Sequence, residues 1–205
     1  MKSACLFGGS FDPVHTGHLL VARAAREELD VEQVIFIPAA RSPFKLASQP
    51  APPAARLQML RTALAGRTWT AIDEQEISRG GVSYTVDTLR DYRKKFPEIR
   101  LCYLVGEDNV AQLIEWREPA ELARLAEFVV IPRPLMAGAG QAGNAATAAG
   151  AEKARAAGFK LRFLKGFPLG VSSSEIRDRV RAGLPVEDLL PPGVPEIIRN
   201  NGLYL

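Results

Sequence analysis

The two histidines of the chain lie three residues apart, in a glycine-containing stretch near its start. His15 and His18 follow Gly8-Gly9, which comes directly after an apolar segment, and a helical pattern begins at His18. A strand, a glycine turn and a helix start place free backbone N–H groups and the positive end of a helix dipole at one point, which suits a phosphate. Two imidazoles at that point could bind the phosphate or protonate it. The stretch therefore predicts a phosphate-binding site.

Two other interpretations of this histidine pair are open. A spacing of three residues on a helix would suit a metal, but no cluster of Cys, Asp or Glu completes a zinc site nearby, and Asp12 alone is too little. We expect Asp12 to order the loop instead. The pair could also be two surface histidines at a helix cap without function. We expect Gly17 to let a phosphate approach the backbone, because a side chain there would block it.

A second polar stretch, near the end of the chain, reads Val171-Ser172-Ser173-Ser174-Glu175-Ile176-Arg177. Serine hydroxyls can accept hydrogen bonds from the free N–H groups of a helix start, and an acidic residue in the first turn complements the dipole. Taken alone, the stretch predicts a capped helix and nothing more.

Length and composition indicate an ordinary soluble protein. The 205 residues suit a single domain over 1–205, and 47% of them are hydrophobic and 24% charged. No apolar run approaches the roughly 20 residues of a membrane span, and the apolar start is too short for a signal peptide, so we expect a cytoplasmic protein. We expect Cys5 and Cys102 to be reduced, buried thiols. The net charge of +3 is spread over many segments, so we expect no nucleic-acid or membrane partner.

Hydrophobic periodicity predicts strands that alternate with helices. The expected strands are 3–7, 34–37, 70–72, 101–105, 128–131 and 161–164. The expected helices are 18–29, 54–65 and 85–96, with shorter ones from Asp108, from Pro119, after Ser172–Ser174 and near 194–200. This alternation predicts an α/β fold with a doubly wound, mainly parallel, Rossmann-like sheet and a small C-terminal helical part. Because ligands bind beyond the carboxyl ends of such strands, Gly8-Gly9 and Gly106-Glu107-Asp108 should meet in one crevice.

Two segments depart from this regular pattern. The proline-rich residues 38–53 predict a long loop, which is usually functional or mobile. Residues 137–158 are rich in alanine and glycine with nothing large to bury, so we expect a flexible insert with a partial helix. The insert includes a formal dinucleotide-binding fingerprint at 138–143, but residues 132–137 separate it from the preceding strand, so the match is accidental.

The two polar stretches together resemble the paired motifs of the nucleotidyltransferase superfamily that carries a His-x-Gly-His signature. Its members couple a phosphate or phosphate ester to a nucleotide and release pyrophosphate. Within it, the chain looks like the bacterial nicotinate-nucleotide adenylyltransferases. The further elements of this resemblance are Gly8–Pro13, Ser83–Thr85, Gly106–Asp108, Trp116, Arg133–Pro134 and Asn201–Tyr204.

The resemblance implies transfer of the adenylyl group of ATP to nicotinate mononucleotide, giving deamido-NAD and pyrophosphate in NAD biosynthesis. It implies Mg²⁺ as the ion that accompanies ATP. The implied catalytic residues are His15, His18, Lys45 and Arg177. The implied ATP-binding residues are Gly8, Gly9, Ser10, Phe11, Gly106, Asp108, Ser172 and Ser173. The implied acceptor-binding residues are Ser83, Tyr84, Thr85 and Trp116, where Trp116 would stack on the nicotinate ring unless it is a core residue.

One position departs from the family pattern. Phe44 stands where the family usually has histidine, in Ser42-Pro43-Phe44-Lys45, while Ser10 and Ser174 replace threonines and keep the hydroxyl. Three alternatives stay open: a transferase that prefers nicotinamide mononucleotide, a non-catalytic nucleotide-binding sensor, and a fragment of a class I tRNA synthetase. The third lacks the lysine-rich signature loop and the RNA-binding domain expected of it. The oligomeric state is open.

Overall fold

The computed structural model describes residues 2–45, 49–132, 140–166 and 170–205. Within these ranges the strands form one six-stranded sheet in the order β3-β2-β1-β4-β5-β6, and every neighbouring pair is parallel. The predicted doubly wound α/β sheet is confirmed. The strands are β1 Ser3–Gly9, β2 Gln33–Pro38, β3 Thr70–Ile72, β4 Arg100–Gly106, β5 Glu127–Ile131 and β6 Leu161–Phe163.

Helices connect the strands and close the chain. None of those in the described ranges is long and apolar enough to cross a membrane. The helices are α1 Thr16–Leu29, α2 Pro53–Leu64, α3 Gln75–Arg79, α4 Thr85–Lys95, α5 Pro119–Leu125, α6 Gly140–Ala156, α7 Ser173–Arg181 and α8 Val194–Asn200.

The central strands are buried on both faces because successive side chains of a strand point to opposite sides. In β1, Cys5 and Phe7 join a core cluster with residues of α1, α2 and α8. Ala4 and Leu6 join a second cluster with residues of α4, α5 and α6. Both faces of the sheet are therefore covered by helices, and Cys5 and Cys102 are free and buried as predicted.

Some elements differ from the sequence prediction. Helix α1 begins at Thr16 rather than at His18, the short α3 was not predicted, and the segment after β4 forms the 3₁₀ turns Glu107–Asn109 and Leu113–Glu115. The predicted partial helix in the insert is the 17-residue α6. Its small residues allow close packing, since a Cβ built on Gly150 would lie 2.8 Å from the Cβ of Ala111. The flexibility of 137–158 and the single-domain organisation stay predictions.

Gly8 and Gly9, which the sequence predicted as a turn after the first strand, are the last two residues of β1, and Gly8 is fitted closely to the neighbouring strand β4. A Cβ built on Gly8 would lie 2.3 Å from the hydroxyl oxygen of Tyr103 and 3.2 Å from its Cζ. Tyr103 is buried and its ring contacts those of Phe128 and Trp116, so it has little room to move. Glycine at position 8 therefore lets β1 and the Tyr103 side chain share this space.

We predict that Gly8→Ala lowers the free energy of unfolding by about 1–3 kcal/mol, the usual cost of overpacking a core. Tyr103→Phe removes the atom that lies closest, so the double variant should be more stable than the sum of the single changes predicts. Urea unfolding of the four chains measures this coupling. Simple additivity would show that the Tyr103 hydroxyl is not the group that excludes a side chain at position 8.

Candidate active site

A basic cavity of about 410 Å³ lies beside the turn that follows β1, at the carboxyl edge of the sheet. Its lining includes three arginines and one histidine against the single carboxylate of Asp12. Such a surface suits a multiply charged anion. The lining residues are Gly9, Ser10, Phe11, Asp12, His18, Arg41, Ser42, Gln49, Pro50, Ser173, Arg177 and Arg181.

His18 is oriented by the start of α1. The backbone N–H of His15 donates to Nδ1 of His18 at 3.1 Å. Since Nδ1 accepts this bond, the proton of the neutral ring lies on Nε2. Nε2 is thus the donor atom that His18 can offer to a ligand in the cavity.

His15 lies behind His18 in the interior. It is only 7% exposed, and its ring centroid is 3.7 Å from that of His18. Burial lowers the pKa of His15 to about 4, so the ring is neutral at pH 7. A Cβ built on Gly17 would lie 3.0 Å from Nδ1 of His15. Gly17 therefore makes room for this ring, and the expectation that it lets a phosphate approach the backbone stays a prediction.

Helix α7 docks on the same turn through its first residues. The Ser172 hydroxyl caps the helix by accepting the N–H of Glu175 at 3.1 Å, as the sequence predicted. Ser173 Oγ donates to the carbonyl of Pro13 at 3.0 Å, and Arg177 Nη1 donates to the carbonyl of Asp12 at 2.7 Å. These bonds bring Arg177 to the turn across 165 residues of chain.

Asp12 is held from two further directions. Its Oδ1 accepts the N–H of Ala51 at 3.1 Å and the hydroxyl of Tyr204 at 2.7 Å. The expectation that Asp12 orders the loop agrees with these contacts. Burial and the neighbouring carboxylate of Asp12 raise the pKa of Tyr204 well above its ordinary value, so the hydroxyl keeps its proton.

An aromatic cavity of about 150 Å³ adjoins the basic one and shares Gly9, Ser10 and Ser42 with it. It lies between the carboxyl ends of β1 and β4, where the strand order reverses, which is the usual ligand position in such sheets. Gly8, Gly9 and Gly106 thus line one crevice as predicted, whereas Glu107 and Asp108 are not among its lining residues. Its lining residues are Gly8, Gly9, Ser10, Ala39, Ser42, Pro43, Phe44, Glu76, Ser83, Thr85, Tyr103, Leu104, Val105, Gly106, Asn109 and Trp116.

Trp116 is the largest side chain in the lining of the aromatic cavity. Its ring contacts Tyr103 and Phe128 edge to face, with centroids 6.4 Å and 6.3 Å away. Its Nε1 is buried and has no hydrogen-bond partner among the residues that the structure describes. A buried donor of this kind favours a ligand that brings an acceptor atom.

Backbone and side-chain bonds join the loop after β2 to the start of α4. The N–H of Ala40 donates to Ser83 Oγ at 3.0 Å, and the N–H of Ser83 donates to the carbonyl of Arg41 at 2.9 Å. Thr85 opens α4 and donates to the Tyr103 hydroxyl at 3.3 Å. The wall of the aromatic cavity is therefore fixed by the Ser83–Thr85 segment.

Known proteins resemble the whole chain. The cytidylyltransferase-like family description matches residues 6–179. A protein of Opitutus terrae named probable nicotinate-nucleotide adenylyltransferase is 36% identical over 96% of this chain and 95% of its own length. A protein of the same name from Thermomicrobium roseum is 37% identical over all of this chain and 92% of its own. The chain belongs to the nicotinate-nucleotide adenylyltransferase family.

A solved structure shows the same fold. Plasmodium falciparum nicotinic acid mononucleotide adenylyltransferase complexed with NaAD superposes with a TM-score of 0.77 at 17% identity, covering 100% of this chain and 98% of its own. The fold class of this nucleotidyltransferase is therefore shared well beyond its close relatives.

The structure brings most of the predicted site residues of this nucleotidyltransferase to the two cavities. Tyr84 instead lines a third cavity beside Phe44 and Trp116, where the guanidinium carbon of Arg117 lies 4.7 Å from its ring centroid. Asp108 is exposed on its 3₁₀ turn, and Asn109 is the residue of that turn in the cavity lining. Lys45 ends the 3₁₀ turn Pro43–Lys45, and Arg133–Pro134 lie outside the described residues.

Sequence reasoning missed several residues of the site. Arg181 lies four residues after Arg177 and hence on the same side of α7, a spacing that could have identified it. Glu76 is buried and accepts the Thr88 hydroxyl at 2.6 Å, and burial raises its pKa. Arg56 is fully buried and donates to the carbonyls of Ser10 and Ala39 at 2.8 Å. No local pattern marks these contacts.

The buried neutral His15 predicts an acid-sensitive fold. An unfolded His15 takes up a proton below its ordinary pKa of 6.5, whereas the folded one resists protonation down to about pH 4. Stability is therefore lost as pH falls through this window, by about 2 kcal/mol between pH 7 and 4.5. Urea unfolding of the wild type and of His15→Asn, which keeps a capping side chain, measures the difference. Equal acid sensitivity of the two chains would contradict a neutral His15.

Proposed function

We propose that this chain transfers the adenylyl group of ATP to nicotinate mononucleotide, with deamido-NAD and pyrophosphate as products, and that it does so in the cytoplasm. One observation supports this most directly: a cationic cavity and an aromatic cavity share Gly9, Ser10 and Ser42. The triphosphate of ATP and the planar ring of the acceptor can then bind on opposite sides of the Gly9-Ser10 segment. The relatives' names supply the identity of the two substrates.

The reaction in this proposal is an in-line displacement. A phosphate oxygen of the mononucleotide attacks the α-phosphorus of ATP and forms the new O–P bond. The bond from the α-phosphorus to the bridging oxygen breaks, and pyrophosphate leaves with the electron pair. Rate enhancement comes from positioning and from charge stabilisation, as in other phosphoryl transfers.

The histidines divide this work in the proposal. His18 donates from Nε2 to the α-phosphate, where charge develops in the transition state. His15 acts through His18: its neutral ring packs against the His18 ring, and its backbone N–H fixes the tautomer. This assigns His15 a positioning role without a charge.

The cations and hydroxyls of the basic cavity bind the leaving group in the proposal. Arg177 and Ser173 contact the pyrophosphate, and Ser172 holds the helix start that presents them. Lys45 contacts a neighbouring phosphate. Arg41 and Arg181, which the sequence did not identify, add positive charge on the same cavity. The N-terminus of α7 supplies a further favourable potential.

The remaining contacts in the proposal are those with the ATP phosphates through the backbone, with the ribose hydroxyls and with Mg²⁺. Gly8, Gly9, Ser10 and Phe11 bring backbone close to the ATP phosphates, and Gly106 with Asp108 binds ribose hydroxyls. Mg²⁺ enters with ATP, whose phosphate oxygens, with water, are its preferred ligands. The described residues include no group of three or more His, Cys, Asp or Glu that could hold a metal by themselves.

The acceptor ring is bound by the aromatic cavity in the proposal. Nicotinate stacks on Trp116, and its carboxylate accepts hydrogen bonds at the start of α4, from Thr85 and the backbone near Ser83 and Tyr84. The helix start favours a negative charge by its dipole. A carboxylate should therefore bind there better than a neutral amide.

The decisive test is pyrophosphate release with ATP and Mg²⁺, comparing nicotinate mononucleotide, nicotinamide mononucleotide and phosphopantetheine as acceptors. We expect a preference of about 100-fold in kcat/KM for the nicotinate acceptor over the nicotinamide acceptor, about 2.7 kcal/mol. A preference for another acceptor would keep the nucleotidyltransferase activity and overturn the Trp116 and Thr85 assignments. A chain that binds ATP but turns over none of the three would be a nucleotide sensor.

We expect His18→Ala to lower kcat about 100-fold or more, on the order of 3 kcal/mol, because it removes one transition-state donor. His18→Asn is the matched control: its side-chain oxygen can replace Nδ1 as acceptor of the His15 N–H, but it lacks Nε2. It should lose kcat similarly while its melting temperature stays close to that of the wild type. A loss of less than about threefold in His18→Asn would assign His18 to the helix cap alone.

A further inference from the structure

Phe44 presents an apolar ring to solvent at the edge of the proposed acceptor site. It lies in the 3₁₀ turn Pro43–Lys45 and is 57% exposed, more than Phe96 at 38% or Phe163 at 39%. Its side chain lines both the aromatic cavity and the smaller third cavity that Tyr84 and Arg117 also line. An exposed ring in this position gains from any contact that covers it.

The ring of Phe44 is directed at Trp116. The two ring centroids are 5.7 Å apart, with an angle of 43° between the planes. Among the described residues, the other rings in contact with Trp116 belong to the buried Tyr103 and Phe128, which meet it edge to face. Phe44 is thus the neighbour that approaches Trp116 from the solvent side.

Hydrogen bonds hold the Phe44 turn next to the acceptor-binding segment. Phe44 N–H donates to Ser42 Oγ at 3.3 Å. Just before this turn, Ala40 and Arg41 are bonded to Ser83, two residues ahead of Thr85. The position of Phe44 is therefore coupled to the wall of the cavity.

We propose that Phe44 contacts the flat ring of the acceptor together with Trp116 and so determines the affinity for acceptors with an aromatic base. The identity of the acceptor rests on the function proposed above. An additional aromatic contact stabilises a bound ring beyond the effect of the area that it buries. Phe44 has no polar side-chain atom, so it recognises the ring and not the carboxylate or the phosphate. It therefore acts equally on both pyridine mononucleotides.

Steady-state kinetics of three variants test the proposal. Phe44→Leu keeps an apolar side chain without the ring, and Phe44→Tyr keeps the ring. Phe96→Leu makes the same change at an exposed phenylalanine that directly follows the C-terminal end of α4. We expect Phe44→Leu to raise KM about fivefold for nicotinate and for nicotinamide mononucleotide. KM for ATP should change less than about twofold, as should every parameter of Phe96→Leu. In Phe44→Tyr, which keeps the ring, KM for the two mononucleotides should rise less than in Phe44→Leu.

A binding titration separates this inference from the proposed function. The chain has two tryptophans, so in a Trp69→Phe background fluorescence reports on Trp116 with or without turnover. Weaker binding of nicotinate mononucleotide by Phe44→Leu would support the contact whether or not any acceptor is adenylylated. The absence of adenylylation would overturn the proposed function alone. Unchanged affinity in Phe44→Leu would overturn the inference alone. So would an effect on only one mononucleotide, since Phe44 would then act on the carboxylate. No binding of nicotinate mononucleotide by the wild type would overturn both.

Discussion

The contacts around Asp12 are the constraint on which the basic cavity depends. A buried carboxylate needs hydrogen-bond donors, and Asp12 receives them from Ala51 and from Tyr204 at the end of the chain. Its carbonyl accepts from Arg177. The long loop, α7 and the C-terminal residues are therefore all hydrogen-bonded to Asp12, in the turn that follows β1. Arg177 and Ser173 donate hydrogen bonds to carbonyls of this turn, and these bonds fix their positions in the cavity.

The crevice follows from the order of the strands. Connections leave β1 and β4 on opposite sides, so their carboxyl ends separate without a covering helix between them. Small residues lie at both strand ends: Gly8 leaves room for the Tyr103 hydroxyl, and Gly106 ends β4. Charged side chains reach the crevice from α7 and from the loop after β2. The aromatic cavity receives Tyr103 from β4, Trp116 from the segment after β4 and Phe44 from the loop after β2. One sheet edge thus offers two chemically different cavities side by side.

Features encoded by neighbours in the sequence could be predicted, and features that depend on distant contacts could not. Apolar runs identified the strands, and the glycines at the ends of β1 and β4 identified the crevice. The five-residue α3 is too short to show a periodic pattern. Arg56 and Glu76 are polar residues in a buried setting, where burial depends on partners such as Ser10 and Thr88 that the chain brings near only on folding. The close approach of Gly17 to the ring of His15, two residues earlier, likewise depends on how the start of α1 folds.

The uncharged state of the His15 ring suits the chemistry proposed for His18. A protonated His15 would place a positive charge in a buried position, at a ring distance of 3.7 Å from His18, beside a cavity that already holds three arginines. Burial prevents this by favouring the neutral ring. The ring of His15 then packs against His18, and the backbone N–H of His15 orients the His18 ring. The positive charge that binds the anion comes from the arginines. A hydrogen-bond donor at a transition state needs a fixed orientation more than an additional charge, because reorienting it during the reaction would cost free energy.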